Sequence, residues 1–177
     1  MIEKIRQDKP TRTIAVFESD LGWIAAGWVS SRIARLTFGH RSPKTAHAGI
    51  EWYDVSPADL TAWMKKIVQR IQRFSSGEED DFLDIEIDLP KSTAFQSAVL
   101  ERCRRIPFGQ TLSYGELAAE AGYPRAARAV GTVMSTNRIP LIVPCHRVVG
   151  SGGSLGGYSA RDGLKMKRRL LALEGAM

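Results

Sequence analysis

Apolar and other residues alternate through residues 12–38, and the alternation breaks at two turn signals. Successive side chains of a strand point to opposite faces, so a period of two marks half-buried strands. The pattern predicts strands at residues 12–18, 22–29 and 33–38. The links between them, around Ser19-Asp20-Leu21-Gly22 and Ser30-Ser31-Arg32, are short, which implies an antiparallel meander. Residues 39–50 carry Gly39, Pro43 and Gly49 and read as loop. Ser56 and Pro57 then fit a helix N-cap and first helical position, and Leu60, Met64, Ile67, Val68 and Ile71 keep helical spacing as far as Phe74. After an acidic connector, Phe82-Leu83-Asp84-Ile85-Glu86-Ile87-Asp88-Leu89 alternates again and predicts one more half-buried strand.

From there the period becomes helical. Ser92 or Thr93 caps a helix through Phe95, Val99, Leu100 and Cys103, which Ile106-Pro107-Phe108-Gly109 ends. Ser113 and Glu116 have capping-box spacing at the start of the next helix. Gly122-Tyr123-Pro124 breaks it, and a second short helix follows over residues 125–135. Helix, tight glycine turn and helix make a helix-turn-helix. A last helix spans residues 162–173, where Lys165, Lys167, Arg168 and Arg169 interrupt Leu164, Met166, Leu170, Leu171 and Leu173 and read as a solvated basic face. The fold class is therefore α+β. A small antiparallel-sheet α/β domain occupies residues 1–90, and a mostly helical domain with the helix-turn-helix occupies residues 91–177.

Composition narrows the setting. Hydrophobic content of 44% and charged content of 25% are those of an ordinary soluble domain. No apolar run approaches a membrane span, and Met1-Ile2-Glu3-Lys4-Ile5-Arg6 lacks the apolar core of a secretory signal. Two cysteines, Cys103 and Cys145, do not build a disulfide framework, so a reducing cytoplasm is the expected home. The net charge of +6 is unevenly spread. Residues 1–90 hold 12 basic and 14 acidic residues, whereas residues 91–177 hold 13 and 5. A basic half points to a polyanion partner, nucleic acid ahead of a membrane surface.

The chemistry concentrates at Pro144-Cys145-His146-Arg147-Val148, between a short apolar run and a glycine-rich loop. A thiolate is a strong nucleophile, and a neighbouring base is the usual means of making one. Arg147 offers positive charge for a thiolate or a phosphate. If the segment is extended, Cys145 and His146 face opposite ways, and a water or second residue must carry the proton between them. The second helix of the helix-turn-helix is built from Ala126, Ala127, Ala129 and Gly131, with Arg128 as its long polar side chain. Such small residues fit either close approach to DNA or tight helix–helix packing. Cys103 reads as a structural thiol, the four tryptophans as packing residues, and His40 and His47 as polar loop residues.

Residues 92–175 resemble the catalytic domain of the O6-alkylguanine-DNA alkyltransferase family. The resemblance rests on ordered motifs: residues 106–114, Ala126-Ala127-Arg128-Ala129-Val130-Gly131, Asn137, residues 140–149, Gly157-Tyr158-Ser159 and residues 167–175. The N-terminal half matches in layout, as a ribonuclease H-like support domain. The resemblance implies direct-reversal repair. Cys145 takes the alkyl group from O6 of guanine, with O4 of thymine as a further candidate, once the nucleotide has been flipped out of the duplex. His146 is implied to act as base through a water, with Glu174 orienting it. Asn137 links the helix-turn-helix to the active site. Tyr114 rotates the phosphate and helps protonate the leaving guanine. Arg128 fills the gap in the stack. Ala126, Ala127, Ala129, Gly131, Tyr114 and Arg147 are implied to contact DNA. Val148 and Ser159 offer backbone groups to the base, while Met134, Pro140 and Tyr158 wall the pocket. The thioether product is stable, so each molecule acts once.

The implied partner is double-stranded DNA, held through the minor groove by a monomer, with cooperative assembly left open. No membrane role and no cofactor are expected. No metal is expected either, since residues 1–90 lack the cysteines that hold zinc in some members. Arg138 stands where many members have proline, and residues 160–163 are longer than in some. The alternative is a non-catalytic lesion-recognition protein. Relatives of that kind lack the cysteine, which is present here.

Overall fold

The computed structural model describes residues 12–48, 50, 52–89 and 92–177. Strands β1 (Arg12–Phe17), β2 (Trp23–Val29) and β3 (Arg32–His40) form the expected antiparallel meander. In β2, Ile24, Ala25, Ala26 and Trp28 are all fully buried, because the sheet is covered on both faces. One cover is a short helix, α1 (Pro43–His47), which forms where the sequence reads as loop. Ser42 nucleates it by accepting from the Thr45 amide, and Ala46 packs on Ile14 and Ala25. A two-residue strand, β4 (Tyr53–Asp54), lies parallel to β1 and completes the sheet order β3-β2-β1-β4.

Two sequence expectations fail here for identifiable reasons. Helix α2 (Ala62–Ser75) does not begin at Pro57. Pro57–Asp59 form a separate 3₁₀ turn, after which Leu60 adopts extended backbone and enters the core before Thr61 starts the helix. Residues 82–89 do not form a strand either; Ile87 makes a single bridge to Ile33. Glu86 and Asp88 each make one backbone hydrogen bond to Ile33, and side chains take several of the other backbone groups. Arg104 Nη2 donates to the carbonyls of Phe82 (2.9 Å) and Ile85 (3.0 Å), and Asp80 accepts from the Phe82 amide at 2.9 Å. Alternation alone cannot reveal that a distant guanidinium takes the carbonyls a ladder would use.

The second half is helical as expected: α3 (Ala94–Arg104), α4 (Tyr114–Glu120), α5 (Ala127–Ser135) and α6 (Gly163–Leu173). Thr93 and Ser113 cap α3 and α4 through capping boxes with Gln96 and Glu116. Two-residue strands β5 (Leu112–Ser113) and β6 (Val148–Val149) pair in parallel and tie the start of α4 to the cysteine segment.

Two cores meet at that segment. Ile139, Leu141 and Ile142 pack with the sheet and α2, whereas Val143, Cys145 and Val148 pack with α3, α4 and α5. Burying Ile139, Leu141 and Ile142 contributes roughly 5–9 kcal/mol. Leu36 of β3 also donates to the Arg138 carbonyl at 2.9 Å. The backbone leading to the thiol is thus held from both sides. The division expected at residues 90–91 lies outside the described residues. The sheet core extends past it, through Ile139, Leu141, Met166 and Leu170.

Candidate active site and DNA-facing groove

Asn137 turns the chain from α5 toward the cysteine. Its Nδ2 donates to the Val143 carbonyl (2.8 Å) and to Cys145 Sγ (3.2 Å), and its Oδ1 accepts from the Ile139 amide at 3.0 Å. One side chain therefore closes the loop and touches the sulfur. Residues Cys145–Arg147 form a 3₁₀ turn, not the extended segment considered from sequence. Cys145 is only 5% exposed. Burial pushes its thiol pKa up, against the opposing pull of the Asn137 hydrogen bond and the Lys167 charge. The resting group is a thiol and needs a base to become a nucleophile.

A histidine able to serve as one is the next residue in the chain. His146 is fully buried, and its Nε2 lies 2.7 Å from Glu174 Oε1. A ring N–H donating there leaves Nδ1 free to accept a proton, and Nδ1 makes no hydrogen bond to the protein. Burial lowers the His146 pKa, although the Glu174 charge pulls the other way. Burial also opposes the charge on Glu174, but the hydrogen bonds from His146 and Arg147 outweigh it and hold the pKa at about 2. Glu174 is thus a fixed anion. Gly109 sits against it with φ of 73° and an amide 3.3 Å from Oε2. A Cβ at Gly109 would come 2.9 Å from the Glu174 carbonyl oxygen, so this turn requires glycine.

Arg147 is a correction. Sequence and resemblance offered it to a phosphate, yet it is 1% exposed and faces inward. Its Nε and Nη2 grip Glu174 at 2.9 and 3.0 Å, and Nη1 donates to the Ile106 carbonyl at 2.6 Å. Four donors converge on one carboxylate because a buried Arg is tolerable only when paired and fully hydrogen-bonded. Lys167 is a second correction, since it lies fully buried and not on a solvated face. Its Nζ donates to the carbonyls of Val148 (2.5 Å), Leu155 (2.5 Å) and Gly157 (3.1 Å), pinning the glycine-rich loop beside the thiol. Burial lowers its pKa to about 8, so the charge persists at neutral pH.

Above the sulfur opens a cavity of about 220 Å³, lined by Tyr114, Gly131, Met134, Ser135, Cys145, Gly157, Tyr158 and Ser159. Tyr114 donates to the Gly157 carbonyl at 3.3 Å. Its ring lies so close to Gly156 that a Cβ there would come 2.6 Å from Cε2. The Tyr158 hydroxyl is buried and faces the Cys145 thiol. Pro140 instead lines a second cavity, of about 210 Å³, that also reaches Cys145. Val148 is buried in the helical core, and its carbonyl already serves Lys167. Outside the first cavity runs an open groove of about 570 Å³, bordered by Tyr114, Gly115, Ala127, Arg128, Gly131, Gly150 and Ser151. Helix α5 buries Val130, Val133 and Met134 and turns Arg128, Ala129 and Thr132 outward. Its small residues therefore serve both packing and an open face, and Arg128 makes no ion pair among the described residues.

A family model described as the 6-O-methylguanine DNA methyltransferase DNA-binding domain matches residues 94–176. A methylated-DNA–protein-cysteine methyltransferase of Mycolicibacterium paratuberculosis is 40% identical over 152 residues, which are 82% of this chain and 89% of that protein. One of the same name from Methanosarcina acetivorans is 34% identical, over 92% of this chain and 97% of its own length. The chain belongs to the methylated-DNA–protein-cysteine methyltransferase family.

Similarity to solved structures extends over the whole methyltransferase fold. The crystal structure of Mycobacterium tuberculosis OGT in complex with DNA superposes with a TM-score of 0.75 at 32% identity, covering 93% of each chain. The Pyrococcus kodakaraensis O6-methylguanine-DNA methyltransferase gives 0.67 at 25% identity. Against this family background the site residues group by place. Cys145, Tyr114, Gly131, Met134, Tyr158 and Ser159 share the first cavity; Asn137, His146 and Glu174 stand behind the sulfur. Ala127 is half-buried at the groove, Ala126 is half-buried against the helical core, and Ala129 is exposed beside Arg128. Sequence reasoning missed Lys167 and the structural role of Arg147. A signal for Lys167 existed: it shares a helical stripe with Leu170, Leu171 and Glu174 at spacings that place all four on one face. Among the described residues no cluster of three or more metal-ligating side chains occurs, and no helix is long and apolar enough to cross a membrane.

Proposed function

We propose that this methyltransferase-family chain removes alkyl groups from O6 of guanine in DNA by transferring them to Cys145, once per molecule. The observation that carries the reading is the thiol at the floor of a cavity beside the Arg128 groove, with a histidine and a fixed carboxylate behind it. The alkylated oxygen lies inside a duplex, so the nucleotide swings into the cavity at a cost of roughly a few kcal/mol, less for a poorly paired lesion. Arg128, at the edge of the groove, fills the space left in the stack. Helix α5, with alanines at its surface, approaches the minor groove closely. Basic residues outside the site act as phosphate contacts and make binding fall with salt.

His146 Nδ1 accepts the thiol proton through a water, and the imidazolium formed is stabilised by Glu174. Asn137 holds the sulfur in place and donates to it, and the buried Lys167 cation favours the thiolate. Sulfur attacks the alkyl carbon as the carbon–oxygen bond breaks, and Tyr114 helps protonate the departing guanine. Met134 and Tyr158 wall the base, and Ser159 supplies backbone groups to it. The thioether has no route back to a thiol here, so turnover stops after one transfer. The N-terminal sheet is read as a support domain, the protein as a monomer, and its compartment as the cytosol, where Cys145 stays reduced.

The test is intact mass after incubation with a duplex bearing one O6-methylguanine, followed by peptide mapping. One methyl per protein on Cys145 is expected, and Cys145→Ala is expected to bind the duplex without transfer. Tight lesion binding without a mass change would identify a recognition protein instead. Arg128→Ala is expected to slow repair in duplex more than reaction with free O6-benzylguanine; equal losses would remove Arg128 from the flipping step.

A further inference from the structure

As a wall of the base cavity Tyr158 uses its ring, and its hydroxyl has no task there. Tyr158 as a whole is half-buried, and its ring lines the first cavity with Cys145. The hydroxyl tip, by contrast, is buried, and no oxygen or nitrogen atom accepts from it. The group that it faces is the Cys145 sulfur. The side chain is firmly held in that pose. Its ring packs against both cores where they meet. Lys167 Nζ lies 6.0 Å from the ring centre and donates to the Leu155 and Gly157 carbonyls, which pins the loop that carries Tyr158.

A buried hydroxyl needs an acceptor, and a thiol is a weak one. A thiolate is a strong one, because ionisation of the acceptor shortens and strengthens the bond. The hydroxyl therefore interacts weakly with the resting sulfur and strongly with the nucleophile. Burial, followed by the nearby sulfur charge, pushes the Tyr158 pKa well up, so the phenol keeps its proton while Cys145 loses its own. The other ionisable groups around the sulfur have their donors occupied or act through charge. Lys167 donates to three carbonyls, and Tyr114 donates to that of Gly157. His146 donates to Glu174, which Arg147 also grips, and Cys103 is a second buried thiol. Asn137 Nδ2 already donates to the sulfur at 3.2 Å, from the turn after α5.

We propose, resting on the repair reading above, that the Tyr158 hydroxyl is the second hydrogen-bond donor to the Cys145 thiolate and that, with Asn137, it aims the sulfur at the alkyl carbon. A thiolate has three lone pairs. Two are taken by the Asn137 N–H and the Tyr158 O–H, and the third is left to face the cavity that holds the base. The thiol proton leaves through water to His146, and the charge on sulfur is then held between the two donors. As the sulfur–carbon bond forms and the carbon–O6 bond breaks, that charge passes to the guanine and both hydrogen bonds weaken. Tyr158 keeps its proton throughout.

The experiment removes the hydroxyl alone, as Tyr158→Phe, and follows Cys145 alkylation by iodoacetamide across pH, with peptide mapping. Phenylalanine keeps the ring and its packing, so the melting temperature should change little. One hydrogen bond to a charged acceptor is worth a rise of roughly one to two pH units in the midpoint of that profile. A more basic thiolate is also more nucleophilic, with a Brønsted slope of about 0.4–0.5. The variant should therefore react about 3- to 10-fold more slowly than the native protein below the native midpoint and about 3- to 10-fold faster on the alkaline plateau. Such crossing profiles are beyond a residue that only shapes access to the thiol. Single-turnover methyl transfer in duplex at neutral pH should slow by at least the same factor, with lesion affinity changed less than about 3-fold. Coincident profiles overturn the proposal, as does uniform slowing with an unmoved midpoint. A loss of transfer matched by an equal loss of lesion affinity also overturns it, leaving Tyr158 as a wall. Crossing profiles in a native protein that transfers no methyl would support the hydroxyl's role and bring down the repair reading instead.

Discussion

Replacing Glu174 by Gln tests the most densely bonded point of the site. The carboxylate accepts from His146 Nε2 at 2.7 Å, from Arg147 Nε and Nη2 at 2.9 and 3.0 Å, and from the Gly109 amide at 3.3 Å. Glutamine keeps the volume but removes the charge and two acceptor sites, stranding a cation that is 1% exposed. Breaking a buried pair by removing one partner costs about 3–5 kcal/mol. An independent route agrees in size. The Glu174 pKa falls from 4.5 to about 2 on folding, and that depression is worth roughly 3 kcal/mol by linkage. Because the folded value is depressed, this stability is complete above 4.5 and disappears as pH falls toward 2. Thermal melts at pH 7 should therefore place Glu174→Gln roughly 6–20 °C below the native protein, with the gap narrowing in acid. Glu174→Gln with Arg147→Met removes both charges and should recover most of the stability. It should not recover methyl transfer, because His146 still lacks its anion. If the double variant is as unstable as the two single losses summed, the two residues are not coupled and the reasoning fails.

Three further outcomes follow from the same geometry. Burial keeps the His146 pKa below its ordinary value of about 6.5, so the neutral base persists into mild acid. The transfer rate should stay level as pH falls to about 6.5 and decline only below it; an acid limb centred above that value contradicts the assignment. Lys167→Met leaves three carbonyls without their cation and should cost roughly 3 kcal/mol in denaturant melts. It should also move the pH profile of Cys145 alkylation upward, which a purely structural lysine would not do. Gly156→Ala places a Cβ 2.6 Å from Tyr114 Cε2 at a position with φ of 66°, so Tyr114 must move. Single-turnover transfer should drop at least about tenfold, and an unchanged rate would show that the position of Tyr114 is immaterial.

Local pattern determined much of this protein. Residue alternation located β1, β2 and β3, and capping residues Thr93 and Ser113 marked the starts of α3 and α4. These features are legible because strand alternation and N-caps depend on neighbours a few residues away. The order of motifs from Tyr114 to Glu174 likewise named the residues around the thiol, as the resemblance implied them. Other features depended on partners far along the chain. Residues 82–89 alternate as a strand does, but Arg104 takes the carbonyls of Phe82 and Ile85, and the segment begins as a compact turn. Arg147 and Lys167 look like basic surface residues in sequence. Glu174 and the glycine-loop carbonyls draw them inward, across separations of 27 and 10–19 residues. The second cavity beside Cys145 lies between β3 and Arg161, which no motif links. Sequence pattern fixes elements because their forces are short-ranged along the chain. The fate of a charge is decided by burial and by whichever opposite or dipolar group folding brings to it, and only the tertiary structure supplies that.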